Sequence, residues 1–501
     1  MKSRVLNTSI MASVTAVVVV LWVMLASVPK TSAIPAFSRK YQTSCTTCHN
    51  NYPELNDFGE AFKKNGFKFP KDDEVFVKEP PVLLGSKAQK EAFPGAVYPG
   101  EIPGYLPIAF RYEGNFTLNR KQPAGVIAQN GFTPRTDLFA PNTFTIISAG
   151  SFGPNFSFWI DDDISAGGTG AGGGLGDGWI KYNDLGRVFH LPKNSLNVRF
   201  GQFEPDLPFS QARTYYLSGY DVFNEAAFAQ GPACGGGVTV CQTTHNAFIL
   251  GSPQRGIEFG GTPNNGNFNW SVAVLDGTGS NYGLGGALTA RSTKDVYLRA
   301  SYKFNLERDP ESRNGVQAAG PTGPRDHTSI RVGAFYYHGN NEQNYGNSLF
   351  PFVNVISEPF YRVGGDIRFK YRKLELYGVA LTGHDDNHLV DTVAQTITKT
   401  NAVTFTGGFL GSNFWIYPWL IATMRYDFVN SPSDFINRSP ASQYNTRNRV
   451  SPGYQILVRA NIKVVGEYQY TYGRPYTDPA NPLNTLYFRP NTFVTGIDYV
   501  F

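Results

Sequence analysis

The sequence predicts a mainly β protein: an antiparallel, membrane-spanning β-barrel of about 16 strands preceded by a small helical segment. Its residues are 14% aromatic but only 17% charged, whereas an average soluble domain is about 25% charged. From Tyr105 onward, short segments alternate polar and apolar side chains, and long loops alternate with short turns between them. A helical membrane protein would need several apolar runs of about 20 residues, and the sequence has one, Met11 to Ala26.

Residues 1–33 are predicted to be a secretory signal. Lys2 and Arg4 precede the apolar core, and Thr31-Ser32-Ala33 forms a small-residue cleavage site. An uncleaved membrane anchor is the alternative. Without Lys2, Arg4 and Lys30 the formal net charge of +5 falls to +2. A nearly neutral mature chain gives no support for a nucleic-acid partner.

The most specific motif in the chain is Cys45-Thr46-Thr47-Cys48-His49. Its spacing lets the thiols of Cys45 and Cys48 form thioethers with two haem vinyl groups while His49 ligates the iron. Export suits this chemistry, because c-type haem is attached outside the cytoplasm. A disulfide or half of a zinc site is the competing interpretation, but no second CxxC or HxxxH lies nearby. The motif therefore predicts one covalently bound haem c in a small cytochrome module, residues 34–100.

A helix is predicted directly after this motif. Pro53 suits the first helical position, and Leu55, Phe58 and Phe62 form one apolar stripe. Gly66 suits the end of the helix. The stripe is expected to pack on the porphyrin, although an ordinary small core would use the same residues.

Residues 360–371 illustrate the alternation of the predicted barrel, residues 101–501. Arg362, Asp366, Arg368 and Lys370 share one face, and apolar side chains occupy the other. A soluble sandwich also alternates, but a transmembrane barrel points its apolar face outward and lines its lumen with the polar face. The predicted strands are 106–118, 142–151, 155–162, 178–185, 196–204, 254–262, 268–276, 294–305, 328–339, 360–371, 374–383, 401–410, 414–429, 449–461, 463–472 and 487–501.

An even number of strands places both chain termini on the periplasmic side of a bacterial outer membrane. Long loops near 119–141, 205–247, 340–358 and 429–448 are then expected to face outward. The last residues place Ile497, Tyr499 and Phe501 on one face, and a terminal phenylalanine of this kind resembles the assembly signal of outer-membrane barrels. The expected location is therefore the bacterial outer membrane, with its lipid as a partner.

The second axial ligand of the iron is harder to predict. Met424 is the one methionine left after signal removal, but Arg425 and Asp427 should face the lumen, which turns Met424 toward lipid. Histidines of the barrel region are better candidates, namely His338, His190 and His327. A vacant position or a less usual ligand is the alternative.

Two further sites are predicted in the loops. Cys234 and Cys241 flank a glycine-rich stretch, and export makes a disulfide between them the simplest interpretation. His384, Asp385, Asp386 and His388 have side chains that suit a divalent metal on an outer loop. A solvated polar loop is the alternative for this second cluster.

The residues around the haem motif carry a family resemblance. Pro35-Ala36-Phe37-Ser38-Arg39 precedes the motif, and Pro53-Glu54-Leu55, Phe58-Gly59, Phe62 and Gly66 follow it. With a long barrel and a terminal phenylalanine behind them, they resemble the outer-membrane monohaem cytochrome–porin fusions of iron-oxidising bacteria. The motif-level match covers residues 35–66, and the rest matches in architecture alone.

The resemblance implies that the haem module occupies the barrel lumen and passes electrons from extracellular Fe(II) to periplasmic c-type cytochromes. It carries Cys45, Cys48 and His49 over as the haem-binding residues. Because similar N-terminal patterns also occur outside iron oxidisers, another redox donor or acceptor stays open. An electron-transfer protein is expected, and whether it is an Fe(II) oxidase stays open. The alternatives are a solute porin with a haem-bearing plug or sensor, and outward electron transfer to extracellular metals.

Overall fold

A computed structural model describes most of the chain after the predicted signal, residues 1–33, which lie outside it. The described residues are 36–69, 73–96, 100–120, 134–153, 155–166, 174–210, 216–224, 239–242, 246, 248–263, 266–277, 293–306, 328–344, 355–391, 393–430, 448–471, 476–478, 481–486 and 491–501. The helices are α1 (Ala36–Tyr41), α2 (Asp57–Lys64), α3 (Asp73–Phe76) and α4 (Lys87–Ala92). No helix within these ranges is long and apolar enough to span a membrane.

Sixteen antiparallel strands pair in chain order into one closed barrel, as the sequence predicted. Each strand bonds to the next, and the last pairs with the first, from Thr492 opposite Asn119 to Val500 opposite Arg111. The strands are β1 (Ile108–Asn119), β2 (Thr136–Phe152), β3 (Phe156–Ala166), β4 (Gly174–Tyr182), β5 (Asn197–Phe203), β6 (Gln254–Gly261), β7 (Phe268–Leu275), β8 (Asp295–Asn305), β9 (Ser329–Asn344), β10 (Val355–Tyr371), β11 (Leu374–Asp385), β12 (Val403–Tyr417), β13 (Leu420–Asn430), β14 (Asn448–Arg459), β15 (Ile462–Thr471) and β16 (Thr492–Val500).

Short elements complete the described chain. Single 3₁₀ turns cover Cys45–Thr47, Leu185–Phe189 and Asp221–Asn224. Small sheets outside the barrel join His49–Asn51 to Glu54–Leu55, Val82–Leu83 to Glu101–Ile102, Val240–Gln242 to His388–Asp391 and then to Thr396–Lys399, and Tyr476–Asp478 to Asn481–Leu486.

The barrel wall buries its charged side chains on the inside and exposes apolar side chains on the outside, which is the arrangement of a transmembrane barrel. On β10, Arg362 is 1% exposed whereas its neighbour Val363 is 40% exposed. On β13, Arg425 is fully buried and Met424 is 47% exposed, so Met424 faces lipid as predicted. A water-soluble sandwich would invert this pattern. The protein is therefore an outer-membrane barrel in contact with lipid.

Several predicted strand boundaries were wrong. β2 begins at Thr136 rather than 142, and β10 begins at Val355 rather than 360. Residues 411–413 were predicted to be the turn after β12, but they lie inside the strand, and the chain turns between Tyr417 and Leu420. The apparent turn residue Gly411 packs under the Tyr377 ring, where a Cβ would lie 2.2 Å from the ring carbon Cζ.

The last residue helps to close the barrel. The Phe501 amide donates to the Phe110 carbonyl at 2.9 Å, and the Phe110 amide donates to the Phe501 carbonyl at 2.7 Å. The Phe501 ring stacks on the rings of Phe110 and Tyr499 at 5.5 and 4.9 Å. Strand β16 is thus fixed to β1 at the periplasmic rim.

We call the connection from β5 to β6, residues 204–253, the lumen loop, because its described parts, 204–210, 216–224, 239–242, 246 and 248–253, include residues that pack inside the lumen. The prediction that it faces outward was wrong for its described parts, since Phe223 and Phe248 are fully buried. Arg425 of the barrel wall donates to the Ser218 carbonyl at 3.1 Å, and Ser218 hydrogen-bonds Glu467 at 2.5 Å. Because β5 runs toward the extracellular end, the contacts of the described parts of the loop with the wall lie in that half of the barrel.

Residues 36–69, which we call the N-terminal segment, contact the barrel wall in the periplasmic half of the lumen. Glu54 pairs with Arg368 at 2.9 Å, and Asp57 pairs with Lys303. On other sides of the segment, Lys40 donates to Ser151 at 3.1 Å and Lys181 of β4 donates to the Lys64 carbonyl at 3.0 Å. The segment is therefore held by strands on several sides of the barrel.

Candidate haem site

The CxxCH motif forms a tight turn. Cys45–Thr47 is a single 3₁₀ turn, the Cys48 amide donates to the Cys45 carbonyl at 3.1 Å, and both thiols are free. Burial raises the pKa of the Cys48 thiol to about 12, with the neighbouring Cys45 adding to the shift. Burial also raises the pKa of the Cys45 thiol, so the surroundings favour the protonated form of both cysteines.

The ring of His49 is oriented by the chain that follows it. Its Nδ1 lies 3.1 Å from the Pro53 carbonyl oxygen. Since a carbonyl accepts only, Nδ1 carries the proton in this bond, and the lone pair of the neutral ring is on Nε2. This is the tautomer that a metal-ligating histidine requires, with its second nitrogen held by a backbone acceptor.

Helix α2 fixes the motif from the other side. The Asn56 amide donates to the Cys48 carbonyl at 3.0 Å, and the Asn56 side-chain amide donates to the Thr47 carbonyl at 3.1 Å. Asn56 also caps the helix, because its Oδ1 accepts from the Gly59 amide at 2.8 Å. The helix thus begins at Asp57 rather than at Pro53, which was predicted as the first helical position. Gly59 lets the helix approach so closely that a Cβ there would lie 2.0 Å from the Cys48 oxygen.

A cavity of about 580 Å³ opens beside the two thiols and His49. Its volume is within the range of about 300–1,000 Å³ that is common for ligand and cofactor sites. One wall consists of aromatic and apolar side chains of the N-terminal segment, and the other is the inner face of strands β1 to β4. The aromatic members are Phe37, Tyr41, Tyr52, Phe62, Phe67, Phe69 and Trp159. Two thiols, an imidazole with its proton on Nδ1 and a cavity that is aromatic and apolar on the side of the N-terminal segment fit a covalently attached haem.

Charges hold the N-terminal segment against the basic side of the lumen. Burial opposes the charged form of Asp57, but Lys370, Lys303 and Arg331 outweigh it and hold its pKa far below the usual range. Burial likewise opposes the charged form of Glu60. Positive neighbours, led by Lys64 and Lys63, nevertheless lower the pKa of Glu60 to about 2. Both carboxylates are therefore charged at neutral pH.

The predicted distal-ligand histidines do not meet at this cavity. His338 is exposed on the outward face of β9, so the barrel wall separates it from the lumen. His190 is exposed in the periplasmic turn after Leu185–Phe189. His327 lies outside the described residues. Among the described residues that line the cavity, His49 is the one histidine and no methionine contributes.

The predicted metal-binding residues of the outer loop are each engaged with a neighbouring side chain. Asp385 is bound by Arg362 at 2.7 Å, and His388 lies 3.3 Å from Glu358. Asp386 lies 3.4 Å from His384 and is also bound by Lys399, at 2.7 Å. Within the part of the chain that is described, no group of three or more His, Cys, Asp or Glu side chains could hold a metal ion.

The predicted Cys234–Cys241 disulfide stays a prediction, because Cys234 lies outside the described residues. The backbone of Cys241 belongs to the strand Val240–Gln242, opposite Val390.

The inward course of the lumen loop was missed from the sequence. Its signal was the density of apolar residues in a region predicted to be a solvated loop, including Leu207, Phe209, Tyr216, Tyr220 and Phe223. Phe209, Tyr220 and Phe223 are buried against Phe409 of the wall. Such a density predicts burial, but the apolar residues have no periodicity from which the surface they pack against could be predicted.

Comparisons with known proteins return bacterial outer-membrane channels. The chain is similar to the OmpF of Salmonella typhi, solved with daunomycin, at 10% identity and a TM-score of 0.47, over 79% of this chain and 98% of that one. It is similar to the channel DcaP of Acinetobacter baumannii at 11% identity and a TM-score of 0.46, over 79% and 96%. The OmpT of Vibrio cholerae gives 7% identity and a TM-score of 0.40, over 84% and 100%. No protein-family model matches the chain. No curated protein matches it either.

Proposed function

We propose that the protein is an electron conduit of the outer membrane that uses one covalent haem c in the periplasmic half of its lumen. The observation that carries this proposal is the cavity that joins the CxxCH motif to the barrel wall. Cys45 and Cys48 would attach the haem, and Nε2 of His49 would ligate its iron. When bound, the haem supplies a one-electron Fe(III)/Fe(II) couple.

The chain's own residues have three tasks in this proposal. Pro53 and Asn56 orient His49 and the cysteines through the hydrogen bonds described above. The aromatic side chains on one wall of the cavity exclude water from it. The ion pairs of Glu54 and Asp57 hold the N-terminal segment inside an otherwise insulating membrane layer of about 30 Å.

Extracellular Fe(II) is the donor we propose, with a periplasmic c-type cytochrome as acceptor. Each Fe(II) ion would lose one electron and leave as Fe(III), and the acceptor would gain that electron. The test uses liposomes that carry the protein in their membrane and oxidised cytochrome c inside, with potassium and valinomycin present to balance charge. External Fe(II) should reduce the enclosed cytochrome.

The matched control is the double variant Cys45→Ala/Cys48→Ala, which removes the thioethers and leaves the barrel. If Fe(II) leaked through the pore, this variant would reduce the enclosed cytochrome as fast as the wild type, and the conduit would be rejected. Enclosed reduced cytochrome with external Fe(III) tests the opposite direction of flow. An outward rate that exceeds the inward rate would favour the reduction of extracellular metals.

A solute porin with a haem-bearing plug or sensor is the second candidate, because the chain forms a closed barrel with a polar lumen. Planar-bilayer conductance separates the two. We expect little steady conductance, since the N-terminal segment and the described parts of the lumen loop are both hydrogen-bonded to the inner face of the barrel wall. A large steady conductance of the haem-loaded protein would favour the porin.

A further inference from the structure

Strand β3 carries three consecutive aspartates with different surroundings. Successive side chains of a strand point to opposite faces, and here Asp161 and Asp163 line the cavity beside the CxxCH motif. Asp162 lies between them and is exposed on the outward face. One tripeptide therefore places two carboxylates in the cavity and a third outside it.

Hydrogen bonds hold both inward carboxylates in place. Oδ1 of Asp161 accepts from Nε1 of Trp159 at 2.6 Å and from the Asp177 amide at 3.0 Å. Oδ1 of Asp163 accepts from the Thr145 hydroxyl at 2.5 Å. These donors are fixed groups of the barrel wall, so the carboxylates cannot turn away from the cavity without losing them.

Negative groups outnumber positive groups on the cavity lining. Asp177 and Glu204 join Asp161 and Asp163, whereas the cationic side chains on the described lining are Lys63 and Arg111. Arg111 is already paired with Asp498 through two hydrogen bonds of 3.0 and 2.9 Å. The cavity therefore presents a negative wall to whatever it holds.

We propose that Asp161 and Asp163 lower the reduction potential of the haem held by Cys45, Cys48 and His49. This inference rests on the proposed function. Reduction of Fe(III) to Fe(II) adds one negative charge to the site, and fixed carboxylates oppose it, more strongly where water is excluded. The two aspartates would thus act through electrostatics: their negative charges stabilise the oxidised iron, and neither side chain is an iron ligand.

The test measures the midpoint potential of the haem-loaded full-length protein by spectroelectrochemical titration in detergent. In Asp161→Asn and in Asp163→Asn, asparagine keeps the size and the acceptor oxygen but removes the charge. Each should change the Fe(II)/Fe(III) ratio at a given applied potential about tenfold toward Fe(II), which is an upward shift of about 59 mV for a one-electron couple. Asp162→Asn is the matched control and should leave the potential unchanged, and Asp161→Glu should retain the low potential.

The outcomes separate this inference from the proposed function. Haem content is first determined from the pyridine haemochrome spectrum, and a wild-type protein without haem would reject the proposed function itself. If haem is present and Asp161→Asn and Asp163→Asn both have the midpoint potential of the wild type, the inference is overturned. An equal shift in Asp162→Asn would also overturn it, because that carboxylate faces away from the cavity.

Discussion

Gly59→Ala is predicted to disturb the turn of the CxxCH motif through a single added carbon. Its Cβ would lie 2.0 Å from the Cys48 carbonyl oxygen and 2.9 Å from the Cys48 carbonyl carbon. Both are backbone atoms, and the oxygen is already bonded to the Asn56 amide at 3.0 Å. Helix α2 and the motif must therefore separate.

The magnitude follows from that geometry. Ordinary van der Waals contact begins at 3.4 Å, so a separation of 2.0 Å must widen by more than half of its value. Overpacking of this kind costs about 1–3 kcal/mol, and alanine recovers at most about 1 kcal/mol of helix propensity. We expect a net destabilisation of about 1–2 kcal/mol, localised to the N-terminal segment. Because His49 directly follows Cys48, its ring moves with the turn.

The assay compares Gly59→Ala with Gly95→Ala, since a Cβ at Gly95 meets no atom within 4 Å. Haem per folded barrel is measured by pyridine haemochrome, and the stability of the segment by the urea midpoint of the haem absorbance band. Gly59→Ala should lower both values, while Gly95→Ala should match the wild type. If Gly59→Ala retains the wild-type haem content and urea midpoint, the close approach of α2 to the motif is not what positions it.

Three further predictions concern the lumen and the rim. Arg425→Met removes a fully buried cation that binds Asp427 at 2.7 Å and the Ser218 carbonyl at 3.1 Å. Breaking such a pair costs about 3–5 kcal/mol, so protease cleavage at 216–224 should rise above that of the wild type. Deletion of Phe501 removes two backbone hydrogen bonds to Phe110, and the yield of heat-modifiable, folded barrel on electrophoresis should fall. The charged form of Glu60 pairs with Lys64 of its own helix and is attracted to Arg331 and Arg368 of the wall, which stabilises the docked segment above the unfolded pKa of 4.5, and this contribution is lost as the pH falls toward 2. Protease protection of residues 36–69 should fall between pH 4.5 and pH 2, and Glu60→Gln should make this protection less dependent on pH.

The strands were predictable because one physical rule governs them all. A barrel wall between lipid and a polar lumen forces a period of two, so Arg362 and Val363 reveal their faces from sequence alone. The rule marks strand centres better than strand ends. The predicted strands left residues 411–413 between them, whereas these residues lie inside β12 and Gly411 makes room for the Tyr377 ring.

The proposed haem-binding residues are recognised by their spacing in the sequence, but the residues that support them in the fold are not. Cys45, Cys48 and His49 are adjacent in sequence, so the motif is visible without a fold. The cavity wall that faces them comes from strands about 100 residues away, including Asp161 and Asp163. The alternation in the sequence assigns every polar side chain on one strand face to the lumen. Which of these side chains contact the N-terminal segment becomes visible only in the closed barrel.

The burial of charge in the lumen bears on the choice between conduit and porin. A water-filled pore leaves its polar side chains hydrated, whereas Arg362, Arg425 and Arg449 are at most 1% exposed. Each is instead compensated by protein: Arg362 by Asp385, and Arg425 and Arg449 by Asp427. Arg425 and Arg449 also donate to the Gly219 carbonyl of the lumen loop, at 2.8 and 3.2 Å. Withdrawing the loop to open a passage would strip these cations of backbone partners, which carries a cost of about 1.5–3 kcal/mol for each hydrogen bond to a charged group. At these three positions the described lumen is therefore occupied by protein groups rather than by water.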